Sequence, residues 1–134
     1  MPIIVLLLAL GLVPSLPMQA RGRDLTAAEA RDLVMAALEP EARALPKLSI
    51  DVMDRKERRA GFYEFAVTWD STSGGSVMVG FYAVDETSGD VWTLVACRKI
   101  SSRDLQRLQR TLRKRTDLSQ QDLKRLGRRA PCEP

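Results

Sequence analysis

Residues 62–97, FYEFAVTWDSTSGGSVMVGFYAVDETSGDVWTLVAC, decide the fold. From Phe62 to Trp69 the side chains alternate, with Tyr63, Phe65, Val67 and Trp69 on one side and Phe62, Glu64, Ala66 and Thr68 on the other. That period of two is the mark of a pleated strand with one richer face. Ser71-Thr72-Ser73-Gly74-Gly75 supplies small residues that tolerate unusual backbone angles, so Ser76–Val84 folds back antiparallel on the first strand. A second turn, Asp85–Asp90 with Gly89, returns the chain into a strand expected over Val91–Cys97. Both faces of these last two strands carry apolar residues: Val77, Val79, Phe81 and Ala83 against Met78, Tyr82 and Val84, then Val91, Val95 and Cys97 against Trp92, Leu94 and Ala96. At least one side must therefore be covered, and the cover has to come from helices before and after.

Upstream, Thr26-Ala27-Ala28-Glu29 has the spacing of a capping box, in which hydroxyl and carboxylate each satisfy an otherwise orphan backbone donor. Ala30, Leu33, Val34, Ala37 and Leu38 then recur at helical spacing, and Pro40 ends the helix. Glu41–Lys47 reads as a connector, and Leu48, Ile50 and Val52 alternate with Ser49, Asp51 and Met53 as a first strand beside Phe62–Trp69. Between them Asp54–Arg59 mixes four basic and two acidic residues, the composition of a solvated loop. The expected class is α+β: an N-terminal helix packed on a four-stranded antiparallel meander, followed by basic C-terminal helices.

The 134 residues divide into residues 1–20, a body over residues 21–115 and a helical tail over residues 116–134. Ile3–Val13 is an unbroken apolar run, followed by Pro14, Pro17 and Met18-Gln19-Ala20 just before the first charges. This matches the core and small-residue cleavage site of a secretory signal and falls short of the roughly 20 residues of a membrane span. The expectation is an exported, periplasmic or extracellular protein. Its two cysteines, Cys97 and Cys132, are then expected to form a disulfide that tethers the tail to the sheet.

The net charge of +4 conceals an uneven distribution. Residues 1–97 hold nine basic and thirteen acidic side chains, whereas Arg98–Arg129 holds twelve basic and three acidic. A helix capped by Ser101 or Ser102 and running to about Arg115 gathers Leu105, Leu108 and Leu112 on one side, with Arg103, Arg107, Arg110 and Lys114 opposite. The leucines form a seam for docking on the body, and the basic row is a candidate for binding an anionic surface. Ser119 and Asp122 are spaced as a second capping box, Leu118 and Leu123 as its staple, and Gly127 suits the helix stop.

The helix followed by a meander, with Phe81–Trp92 spanning its last turn, resembles the small bacterial PepSY-like domains. Val84, Asp85, Thr87, Gly89 and Val91 are laid on the final-hairpin pattern of that family with Ser88 as an extra residue between the Thr and the Gly. The resemblance implies an exported α+β module without catalytic residues, in a family suspected of binding or inhibiting envelope peptidases. The leucine-and-arginine extension beyond Cys97 is not part of that pattern.

The residues themselves name no reaction. The chain has no His, which removes the Ser-His and Cys-His arrangements, the usual general base near neutral pH and the commonest metal ligand. Asn is missing as well, so N-glycosylation is excluded. The remaining carboxylates, Asp51, Glu64, Asp85, Glu86 and Asp90, form no recognisable catalytic spacing; Asp85, Glu86 and Asp90 read as turn-forming acids, and Gly74-Gly75 lacks the Lys of a phosphate loop. No enzyme, metal or cofactor is therefore expected. Two binding functions are left. One is an envelope-protein partner, a peptidase-inhibitor-like or immunity-like relationship, met through the aromatic hairpin residues Tyr63, Trp69, Tyr82 and Trp92. The other is attachment of the basic helix to lipid headgroups, polysaccharide or nucleic acid, without specific nucleic-acid recognition.

Overall fold

The computed structural model describes residues 24–132; the apolar run Ile3–Val13 lies outside them. Its elements run α1 (Ala27–Ala37), α2 (Pro40–Arg43), β1 (Ser49–Val52), β2 (Phe62–Asp70), β3 (Ser76–Asp85), β4 (Val91–Thr93), β5 (Arg98–Lys99), α3 (Arg103–Arg113) and α4 (Gln120–Leu126). The strands form one antiparallel sheet in chain order, β1-β2-β3-β4-β5. The α+β class and the helix-on-meander arrangement are those expected. The meander has five strands rather than four, because the segment expected as one strand over Val91–Cys97 leaves the ladder after Thr93. Leu94–Cys97 is a tight turn, and Cys97 takes φ +46°, a left-handed backbone angle that no strand residue can hold. The chain therefore reverses into β5.

Local chemistry explains the helix ends. At α1 the Thr26 hydroxyl accepts from the Glu29 amide and the Glu29 carboxylate accepts from the Thr26 amide; Ser119 and Asp122 repeat the device at α4. Ser102 caps α3 through the Leu105 amide. Proline stands at the start of the short α2, where its missing N–H costs nothing, so the connector expected after Pro40 contains one helical turn.

Helices α1 and α3 lie side by side on one face of the sheet. Ala30, Leu33, Val34 and Ala37 of α1 and Leu105 of α3 close over Ile50, Phe65, Val67, Val84 and Val91, and Phe65 is the largest fully buried side chain, 1% exposed. The two helices are antiparallel, as two contacts at opposite ends require: Arg115 beyond the end of α3 pairs with Glu29 at the start of α1, while the Ser102 hydroxyl donates to the Ala36 carbonyl. Glu29 thus serves both its own cap and the helix pair. The Arg115 guanidinium, helped by the Thr26 amide, lowers the Glu29 carboxyl to about 2 from its ordinary 4.5. Because the folded value lies below the unfolded one, this stabilisation is present above about pH 4.5 and disappears as pH falls towards about 2. Urea midpoints measured across that window are expected to fall with pH, and Glu29→Gln is expected to flatten the fall; an unchanged slope would show that the pair does not couple the helices.

Between β3 and β4, the turn is built around an acid. Asp85, 1% exposed, accepts the amides of Thr87 and Ser88 on one oxygen and the Arg129 guanidinium at 2.8 Å on the other. Gly89 has φ +74°, and a Cβ there would meet Leu33 Cδ1 at 3.2 Å, so glycine answers both the backbone angle and the packing of α1. Helix α3 reaches over the same turn: Gln109 donates to the Gly89 carbonyl, Arg113 to the Ser88 carbonyl, and Arg113 pairs with Asp90 at 2.9 Å. No described helix is long and apolar enough to cross a membrane.

Candidate docking face

The helices cover one side of the sheet; the other is covered only in part. Register assigns Phe62, Glu64, Ala66 and Thr68 of β2 to this second side, opposite Asp85, Ala83, Phe81 and Met78 of β3. Its inner end is closed by the C-terminal tail. The Arg129 guanidinium lies 5.0 Å from the Phe62 ring centre, Lys99 donates to the Gly127 carbonyl, Pro131 is fully buried, and Cys132 is bonded to Cys97 with Cα atoms 5.7 Å apart. This is the disulfide expected from the sequence, and it holds the tail against the sheet.

Beyond the tail the second face is open. A cleft of about 530 Å³ is lined by Met53, Glu57, Arg59, Glu64, Phe81, Leu94, Val95 and Cys132. Phe81 and Met78 are exposed although both are large and apolar, and Val95 at the tip of the β4–β5 turn is 86% exposed. Apolar side chains grouped in this way at a cleft make the face a candidate site of association. A β-bulge assembles the patch. Val67 pairs with Gly80 but Thr68 pairs with Met78, so Val79 is an extra residue, and Met78 and Phe81, three positions apart, share one face.

At the floor of the cleft is Glu64, only 7% exposed. Its carboxylate accepts one long hydrogen bond, 3.5 Å, from the Arg59 amide. The face can therefore offer apolar contact, one recessed negative charge and a mixed-charge rim of Glu57 and Arg59.

The residues singled out from the sequence fall in several places. Tyr63 and Tyr82 belong to the helix-covered side, half-buried against the core; the Tyr63 hydroxyl donates to the Leu25 carbonyl, Arg58 stacks on its ring, and burial, assisted by Glu39, pushes the Tyr82 hydroxyl above its ordinary pKa. Trp69 shares that side of β2, whereas Trp92 pairs with Ala83 on the other and carries Lys99 at 5.3 Å over its ring. The four aromatics do not make one surface. Phe81, Met78 and Leu94 were missed as a group because strict alternation separates Met78 from Phe81, and no local signal announces the bulge. Arg103, Arg107, Arg110 and Lys114 are all exposed, as the helical wheel requires, with Arg107 near Asp104 at 3.8 Å. Asp85 and Asp90 are held by arginines, and the described residues contain no group of three or more metal-ligating side chains.

No protein-family model matches the chain, nor does any curated protein. Among solved structures, the chain is similar to one from a "type VI secretion system effector-immunity complex from Pseudomonas protegens", with a TM-score of 0.66 and 25% identity. The match covers 89% of this chain and 98% of that one.

Proposed function

We propose that this protein is a non-catalytic, immunity-type binding protein that is exported and holds a partner protein on the open face of its sheet. The observation that carries the reading is the exposed Phe81 and Val95, with half-buried Leu94 lining the same cleft and exposed Met78 on the same face, a surface left bare by both helices and tail. Support comes from the likeness to a chain of an effector-immunity complex, whose match extends over nearly the whole of both chains. The Cys97–Cys132 bond supports export, since such bonds persist in oxidising compartments. On this reading the partner is a toxic effector or an envelope hydrolase, neutralised by being covered.

The test is co-expression with the product of the neighbouring gene, scored by survival and by binding of the purified proteins. Phe81→Arg places a charge in the middle of the patch, and a central aromatic of this kind is expected to account for about 2 to 4 kcal/mol, or roughly 30- to 1,000-fold in Kd. Its melting temperature should barely move, because Phe81 is 37% exposed. A variant that binds and protects as well as the parent would refute docking on this face. That same result, with binding lost instead on replacing Arg103, Arg107, Arg110 and Lys114 by Gln, would favour attachment through the basic helix.

A further inference from the structure

Three buried carboxylates lie on or beside the sheet, and they are not treated alike. Asp85 is met by Arg129 at 2.8 Å and Asp90 by Arg113 at 2.9 Å. Glu64, buried to a similar degree, is met by no cation: none of the ion pairs among the described residues includes it. Arg59 lines the same cleft, yet it reaches Glu64 only through its backbone amide, at 3.5 Å. A carboxylate taken out of water without a counter-charge is costly, and the cost is removed when a cation is supplied from outside. Glu64, the third residue of β2, is held by pairing to Ala83 on one side and by the Met53 amide on its carbonyl on the other, so it cannot swing out to the surface with its strand.

Beside Glu57 and Arg59, the cleft has apolar walls: Met53, Phe81, Leu94 and Val95. A long side chain with an apolar stem and a cationic head fits that lining, the stem against Leu94 and Met53 and the head on the carboxylate. The partly exposed Phe81 ring favours a flat guanidinium over an ammonium, because guanidinium stacks on aromatic faces and is weakly hydrated. Resting on the docking role proposed above, we infer that the cleft is a receptor for one arginine side chain of the partner protein, with Glu64 as its counter-ion.

The probe is N-acetyl-arginine amide, titrated into the isotopically labelled full chain and followed by amide shifts in NMR. N-acetyl-citrulline amide, which has nearly the same shape without the charge, is the control. The arginine derivative is expected to shift the amides of Glu64, Phe81 and Leu94 and to bind about tenfold more tightly than the citrulline derivative, the order of one charge-assisted hydrogen bond. In Glu64→Gln that preference should vanish while the folded spectrum is retained. Equal binding of the two probes to the parent overturns the inference without calling on any variant, as does a preference that survives in Glu64→Gln. Loss of partner binding in Phe81→Arg together with equal probe binding would leave docking intact and remove only the arginine.

Discussion

Replacing Asp85 with alanine is expected to lower the free energy of unfolding by about 3 to 4 kcal/mol, and the melting temperature by more than about 10 °C. Three contacts disappear at one stroke. The amides of Thr87 and Ser88 lose their acceptor, Ser88 is itself buried, and Arg129 loses the carboxylate that holds the tail over Phe62. An orphaned buried donor costs about 1 to 3 kcal/mol, and hydrogen bonds involving a charged group contribute about 1.5 to 3 kcal/mol. Asp85→Asn should cost less, because its side-chain oxygen still accepts the two turn amides while only the ion pair is lost. Arg129→Gln leaves the carboxylate buried without its cation, and the pair should therefore show a coupling of about 0.5 to 3 kcal/mol in a double-mutant cycle. Calorimetry on the four proteins measures it. Additive losses would mean that the turn is held by its own amides and that the tail contributes nothing to it.

This clamp also shows what could be read from the chain alone. Asp85, Thr87 and Gly89 are turn residues, and period-two patterning around them was sufficient to place β2 and β3, while both capping boxes marked helix starts at Thr26 and Ser119 from spacing alone. Those signals are local. What a turn residue touches across the fold is not: Arg113 and Arg129 come from positions 23 and 44 residues beyond the acids they neutralise. In sequence they are two of twelve basic residues in an arginine-rich third, indistinguishable from the exposed Arg103, Arg107 and Arg110 until the helix is docked. The open apolar face was hidden for a similar reason. One extra residue at Val79 reverses the inside–outside order of half a strand, and the turn at Leu94–Cys97, made by a left-handed cysteine, carries Val95 out to solvent.

Breaking the Cys97–Cys132 bond is the second large effect expected. The bond joins residues 35 apart in sequence, and chain-entropy reasoning sets its stabilisation at ~3.8 kcal/mol. The local consequence is more specific than a general loss of stability. Among the described residues, the bond, the Lys99–Gly127 contact, Arg129 and the buried Pro131 hold the segment after α4 to the sheet, so reduction should loosen that segment and weaken the hold of Arg129 on Asp85. Two results follow. The urea midpoint should drop on adding reductant, and Arg129→Gln should cost much less in the reduced protein than in the oxidised one, because the ion pair it removes is already weakened. Cys132 also lines the cleft beside Phe81 and Leu94, so amide exchange at those positions should quicken when the bond is reduced. A midpoint indifferent to reductant, with Arg129→Gln equally costly in both states, would mean that packing of Pro131 and the arginine alone keep the tail in place.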